Sequence, residues 1–209
     1  MKGLDTFMIY GPYEKTLHLV MDQIVKELSD YNDKIKEKTG DGIYEHLLAR
    51  VKSEDSMLEK CTRKGVPQTP ESALRFMTDS IGLRVITRFR DDIYQIIDYV
   101  KTLPGVSVRE EKDYIRHAKP NGYRSYHMIL DREVPYKDID GQNPGHYYIE
   151  IQLRTIAMDS WASLEHQLKY KKDIKNPELI GQELKRCADE LAGCDLSMQT
   201  IRNLMREEI

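Results

Sequence analysis

A chain of 209 residues makes one domain with room for an appended helical segment, and it can bury a substantial core without disulfide or metal staples. With 40% hydrophobic and 32% charged residues it reads as a soluble globular protein, and a net charge of −3 argues against a general nucleic-acid binder while leaving room for local basic patches. Cys61, Cys187 and Cys194 have no paired spacing, the histidines form no HExxH or Cys/His cluster, no apolar run is long enough to span a bilayer, and MKGLDTFMIYGPYEK lacks the apolar stretch of a signal peptide. The expectation is a reduced, cytoplasmic protein without a zinc site or membrane anchor.

Leu17, Val20, Met21, Ile24, Val25, Leu28, Tyr31 and Ile35 recur at helical spacing and predict a first amphipathic helix, followed by a turn at Thr39–Gly42. Ser53 is a natural N-cap for a second helix with Glu54 and Asp55 in its first turn, closed by Gly65 and Pro67. Thr69-Pro70-Glu71 opens a short third helix, with Pro70 at its first position. Ile81–Thr87 reads as a buried strand. Asp91–Leu103 reads as a helix ended by Pro104-Gly105. Val106–Val108 is a short strand. Tyr123–Leu130 is another, placing Tyr126, Met128 and Leu130 on one face and Tyr123, Ser125 and His127 on the other.

In Tyr148–Arg154, Ile149, Ile151 and Leu153 alternate with Tyr148, Glu150, Gln152 and Arg154. That period of two predicts a half-buried strand with a polar outer face, and the chain then runs directly into a helix. A last helix, about 178–206, carries Ile180, Leu184, Cys187, Leu191, Cys194, Met198, Ile201 and Met205 at heptad-like spacing. This seam can pack on its own domain, with the two cysteines in the core, or against another subunit. The order of elements predicts an α+β fold, a mixed sheet flanked by helices.

Three groups can carry chemistry. Lys52, Ser56 and Lys60 step by four, and lysines with a hydroxyl beside a helix N-terminus form a phosphate cradle; an ordinary solvated helix fits the same residues. Asp79 stands at the mouth of a buried strand, where its carboxylate can meet one from a neighbouring strand such as Glu150, and two such groups suit Mg²⁺. Arg84, on that strand, can stack on a base or clamp a phosphate. The run from Lys112 to His127 mixes basic residues, a glycine turn and aromatics, which suits a nucleobase-plus-phosphate pocket or a plain hairpin. Together these groups are an inventory for joining two nucleotides with Mg²⁺.

The motifs R-V-K-S-E-D-S-M-L-E-K at 50–60, D-S-I-G-L-R at 79–84, K-D-Y-I…K-P-N-G-Y-R-S-Y-H at 112–127 and E-I-Q-L-R-T…W-A-S-L-E-H…Y-K at 150–171 occur in an order that resembles the small alarmone synthetases, the single-domain members of the RelA/SpoT family. The resemblance implies a nucleotidyltransferase-like synthetase fold over 44–171, an N-terminal helical segment over 1–43 and a C-terminal helical extension over 172–209. It implies transfer of diphosphate from ATP to the 3′-hydroxyl of GDP or GTP, giving ppGpp or pppGpp and AMP. By position, Asp79 and Glu150 resemble the Mg²⁺ carboxylates, with Glu150 also helping to deprotonate the 3′-hydroxyl. Arg50 and Arg84 resemble the adenine sandwich, and Lys52, Ser56 and Lys60 the contacts to the ATP phosphates. Tyr123 resembles the guanine-stacking tyrosine, and Lys112, Lys119 and His127 the contacts to the acceptor's phosphates. Asp159 stands near the acceptor pocket where several small synthetases have Asn, which leaves the choice among GMP, GDP and GTP open.

The chain lacks the His-Asp pair of the long hydrolase-bearing relatives, so synthesis without degradation is expected. Glu45-His46-Leu47-Leu48 stands where product-stimulated members carry Glu-Phe-Val-Thr, so the resemblance leaves stimulation by the product open. Family members of this size are commonly homotetramers joined through terminal helices. A non-catalytic regulator holding nucleotide or single-stranded RNA through 109–127 is the alternative, and the pair Asp79 and Glu150 argues against it. A different transferase is a further rival, and the lack of a Gly-Ser…Asp-x-Asp signature weighs against its nucleotidyl-transfer version.

Overall fold

The structure, a computed structural model, describes residues 8–169 and 176–207. Tyr170 and Lys171, the end of the last motif above, lie outside the described residues. Helix α1 (Glu14–Thr39) forms where the periodicity predicts it. It buries Leu17, Val20, Ile24 and Leu28 and leaves its charged side in solvent. Burying each such side chain contributes roughly 1.5–3 kcal/mol. Gly40, at φ +83°, ends the helix by donating its N–H to the Lys36 carbonyl.

Five strands form one mixed sheet: β1 (His46–Val51), β2 (Ile81–Thr87), β3 (Val106–Asp113), β4 (Tyr126–Val134) and β5 (Gly145–Thr155), in the spatial order β1-β2-β5-β4-β3. β2 runs parallel to β5 and every other pairing is antiparallel. On the inner face, Leu83, Val85, Met128, Leu130, Ile149, Ile151 and Leu153 pack against α1 and against α3 (Arg90–Lys101), which contributes Ile93, Ile96, Ile97 and Val100. The helices cover this face only, so the outer face is left to polar residues and to function.

Register aligns that outer face into rows. Leu48, Arg84, Gln152, His127 and Lys112 lie side by side across all five strands. The next row is Arg50, Gly82, Glu150, Ile129 and Glu110.

The structure corrects several expectations. β1 has no counterpart in the sequence reading; Lys52 follows it, just before α2 (Glu54–Lys64), which carries Ser56 and Lys60. Ser53 occupies the N-cap position, but its hydroxyl bonds Ser56 Oγ at 2.9 Å and caps no backbone N–H. The short third helix is a single wide turn, Ser72–Phe76, started by Thr69 Oγ1 accepting from Ser72 N at 3.2 Å. β3 extends to Asp113, well past Val108. β4 begins at Tyr126, so Tyr123 and Ser125 belong to the turn before it.

The last two helices are α4 (Ile156–Lys169) and α5 (Pro177–Glu207). The heptad seam of α5 faces the domain only in part: Leu184 and Leu191 pack on it, and the C-terminal part of the seam does not. Ala188, Asp195 and Gln199 are buried against the domain, whereas Met198, Ile201 and Met205 are exposed, and so are Cys187 and Cys194, which were expected in the core. The small and polar side of the helix docks because it meets polar partners on the domain, described below.

Candidate active site

Asp79 lies two residues before β2, at the edge of the outer face. Its carboxylate is held between two ammonium groups, Lys52 Nζ at 2.5 Å from Oδ2 and Lys60 Nζ at 2.6 Å from Oδ1. Burial acts to raise this carboxyl, but the two lysines outweigh it and hold it below the usual carboxylate range. Lys52 is itself fixed through its backbone: its N–H donates to Ser80 O at 2.8 Å and its carbonyl accepts from Tyr10 Oη at 2.7 Å. Tyr10 is buried, and its phenol is pushed well above its ordinary value, first by burial and then by the negative charge of Asp79. Lys60 and Ser56 come from α2, whose N-terminus lies beside this cluster, as a phosphate cradle requires.

Glu150 sits at the centre of the outer face. Burial acts to raise its carboxyl, and His127, whose Nδ1 lies 3.7 Å from Oε1, is the main influence that brings it below the usual range. The charge of Asp79 opposes that lowering, so the two carboxylates sense each other across the edge of β2. On one side of Glu150 is a cleft of about 190 Å³ lined by Leu48, Arg50, Gly82, Arg84 and Gln152 among others. Gly82 is its floor: a Cβ added there would meet nothing within 4 Å, so the missing side chain leaves open space between Arg50 and Glu150.

On the other side, Tyr123 is tied into a polar chain. Its phenol shares a 2.8 Å hydrogen bond with His127 Nε2 and accepts one of 2.8 Å from Arg154 Nη2. Arg154 donates from Nη1 to Asp159 Oδ1 at 2.9 Å and from Nη2 to Gln152 Oε1 at 3.0 Å, and Arg84 Nη1 stands 3.5 Å from the same Asp159 oxygen. Lys119 Nζ lies 4.7 Å over the Tyr123 ring and 4.5 Å over that of Tyr114. Lys112 stands opposite His127 in the β3–β4 register and pairs with Glu110 Oε1 at 2.6 Å. Arg154, expected on an exposed outer face, is only 6% exposed. Its place on the Glu150 face was readable from the alternation; the phenol and the carboxylate that enclose it come from distant or following elements and were not. Tyr10 carried no sequence signal.

The site residues therefore fall around one sheet face: Asp79, Lys52, Ser56, Lys60, Arg50 and Arg84 on the β1–β2 side, Tyr123, His127, Lys112 and Lys119 on the β3–β4 side, and Glu150 between them. Asp159, at the start of α4, touches both halves through Arg84 and Arg154. The donor set fits Mg²⁺, which takes one or two protein carboxylates and completes its shell with phosphate and water. No cluster of three or more His, Cys, Asp or Glu side chains suited to a metal occurs among the described residues.

Two basic flanks around a pair of carboxylates on one sheet face suit phosphate-bearing ligands. The family model described as "Region found in RelA / SpoT proteins" matches residues 49–175, and the chain belongs to that family. It is 39% identical over 145 residues to the GTP pyrophosphokinase YwaC of Bacillus subtilis, covering 69% of this chain and 67% of the relative. It is 35% identical over 163 residues to the GTP pyrophosphokinase YjbM of the same organism, covering 78% and 74%. Among solved structures, small alarmone synthetase 1 from Bacillus subtilis bound to its product pppGpp superposes with a TM-score of 0.73 at 31% identity, covering 92% of this chain and 94% of that one. The same synthetase bound to AMPCPP gives 0.69 at 27% identity, covering 94% and 95%.

Proposed function

We propose that this protein is an alarmone synthetase, a GTP pyrophosphokinase that moves diphosphate from ATP to the 3′-hydroxyl of GDP or GTP, forming ppGpp or pppGpp and AMP in the bacterial stringent response. The observation that carries the reading is the central place of Glu150, with a lysine-clamped carboxylate and two arginines on one flank and a tyrosine–histidine pair on the other. Relatives that share this arrangement of elements are named for the same reaction.

ATP occupies the β1–β2 side. Its adenine lies in the cleft between Arg50 and Arg84, over Gly82, where guanidinium planes can stack on the ring. Its phosphates meet Lys52, Lys60, Ser56 and the N-terminus of α2. Phosphate oxygens can replace Asp79 as partners of those lysines, and Asp79 and Glu150 are the residues that would hold Mg²⁺. When bound, Mg²⁺ neutralises charge building on the transferred diphosphate.

The guanine nucleotide stacks on Tyr123 and places its phosphates among Lys112, Lys119 and His127, with Asp159 near the base. Its 3′-oxygen attacks the β-phosphorus; the bond from that phosphorus to the oxygen of the α-phosphate breaks, and AMP leaves. Glu150, kept ionised, accepts the proton of the 3′-hydroxyl as the oxygen attacks. Fixing both nucleotides on one rigid sheet removes much of the entropic barrier, worth roughly 7–11 kcal/mol at best.

The synthetase domain is assigned to 44–171, the preceding helix to 1–43 and the helical extension to 172–209. The exposed apolar residues of α5 support a homo-oligomer, with a tetramer favoured. No helix among the described residues is long and apolar enough to cross a membrane, and a cytoplasmic location fits the free thiols and the nucleotide substrates.

The test is incubation with Mg²⁺, γ-labelled ATP and each of GMP, GDP and GTP, with Asp79→Asn and Glu150→Gln beside the wild type. Label moving to the guanine nucleotide with release of AMP, reduced by about 10²–10³ or more in both folded variants, is the expected result. Wild-type protein that binds nucleotides but transfers nothing would refute the reaction, and normal turnover in the variants would refute the roles of the carboxylates.

A further inference from the structure

Helix α5 lies wholly beyond the residues matched by the family model, which end at 175. Four residues nevertheless attach it to the turn that presents Tyr123 and to the start of the helix that presents Asp159. Gly122, at φ +90°, sits so close to α5 that a Cβ added there would lie 2.5 Å from the Ala188 Cβ and 3.4 Å from the Lys185 Cα. Arg124 reaches the same helix from the other side of Tyr123, donating from Nη1 to Ala188 O at 3.3 Å and from Nη2 to Asp189 Oδ1 at 3.1 Å. Trp161 of α4 donates from Nε1 to Leu184 O at 2.7 Å. Thr155 Oγ1, which accepts from Met158 N at 3.2 Å to start α4, donates to buried Asp195 Oδ2 at 2.6 Å.

The residues on both sides of Tyr123 are thus seated on α5. A small apolar cluster closes the space behind the ring: Trp161, Ala162 and Ala188 are buried there, with Tyr123, Leu184 and Leu191 packed against them. In contrast, among the described residues no hydrogen bond or ion pair joins α5 to Arg50, Lys52, Lys60 or Asp79; those groups rest on β1, β2, α2 and Tyr10.

We infer that α5 is the back wall of the acceptor pocket, with Ala188 and Asp189 as positioning residues that set where Tyr123 meets the guanine nucleotide. Only a small residue at 188 lets the turn Lys119–Gly122 close against the helix, and a larger one pushes Tyr123 away from His127 and Arg154. The inference rests on the acceptor site assigned above, and it adds that affinity for the acceptor, not for ATP, is set by a helix outside the matched region.

The test uses the full chain with Ala188→Leu, Ala188→Ser and Asp189→Asn. GDP and ATP are titrated separately, following Trp161, the chain's single tryptophan, whose ring lies 6.4 Å from that of Tyr123. KM for each nucleotide is measured in the transfer assay. Ala188→Leu is expected to raise Kd and KM for GDP by about tenfold or more, as misplacement of a positioning group does, with ATP changed less than about twofold. Ala188→Ser, which nearly preserves volume, restores wild-type GDP affinity. Asp189→Asn weakens GDP by about twofold, in keeping with a half-exposed ion pair, and decides the matter should the leucine variant not fold.

Unchanged GDP affinity in these folded variants, or equal losses for GDP and ATP, overturns the inference. Wild-type protein that binds GDP yet forms no alarmone refutes the reaction, while the Kd values still judge the wall. Wild-type protein that binds no guanine nucleotide removes both.

Discussion

Arg154 and Tyr123 are joined by a 2.8 Å hydrogen bond from a guanidinium that is almost wholly buried. One planar fork orients the phenol with one nitrogen and Asp159 with the other, and an ammonium on a flexible stem cannot hold both. Arg154→Lys should therefore raise KM for the guanine nucleotide by about tenfold, the scale of a lost charge-assisted hydrogen bond, while KM for ATP stays near its wild-type value. Steady-state kinetics with each nucleotide varied in turn checks this; a rise for ATP alone would contradict it.

Tyr123→Ala should weaken the guanine nucleotide by about 1–3 kcal/mol, the worth of base-on-aromatic stacking, and ATP by much less. Calorimetric titration with each nucleotide is the measurement. Equal loss for both would remove Tyr123 from the acceptor site.

Tyr10→Phe deletes one hydroxyl and leaves the Lys52 carbonyl without its donor. A buried carbonyl left unpaired costs about 1–3 kcal/mol, and part of that should appear as loosened placement of Lys52. KM for ATP should rise by about threefold or more with the acceptor KM unchanged. A fall in melting temperature with both KM values intact would make Tyr10 purely structural.

Asp195 gives a pH dependence. Burial raises its carboxyl above the ordinary value, and the hydrogen bond from Thr155 and the charges of Arg90 and Arg124 only partly oppose this. The folded state thus holds this proton more tightly than the unfolded chain does. Its stabilising contribution is complete below the unfolded carboxylate value and is lost as pH rises through the folded value. Asp195→Asn removes the titration, so its urea midpoint should gain on that of the wild type as pH rises above the ordinary carboxylate value. A difference that stays constant over that rise would contradict this account.

Leu196, Met198, Ile201, Leu204 and Met205 are each more than half exposed on α5, a patch that calls for a partner. Light scattering should show an oligomer of four chains, and Ile201→Glu combined with Met205→Glu, one helical turn apart, should reduce its mass. A monomeric wild type would exclude the assembly.

Much of the site was legible before the structure because period-two alternation reports a strand face directly. Ile149, Ile151 and Leu153 point to the core, and Glu150 and Gln152 therefore point outward. β1 escaped notice because Leu48 breaks its alternation; the leucine is exposed on the outer face because it lines the cleft beside Arg84. The docked side of α5 was legible only in part, because apolar spacing ranks faces by hydrophobicity: Leu184 and Leu191 pack on the domain, but beside Ala188, a paired Asp195 and Gln199. The seat of Tyr123 depends on a glycine at positive φ resting on a residue sixty-six positions later, a contact no local pattern records.

The strand order β1-β2-β5-β4-β3 has a consequence for how such a protein can change. In the function proposed above, donor and acceptor recognition occupy opposite flanks of one shared strand, β5, with Tyr10 bracing one flank and α5 the other. Selection, or an engineer, can therefore alter the acceptor by editing the β3–β4 flank while the donor flank keeps its grip on ATP. Diversity of products from a constant donor is the variation that this topology makes easiest to reach.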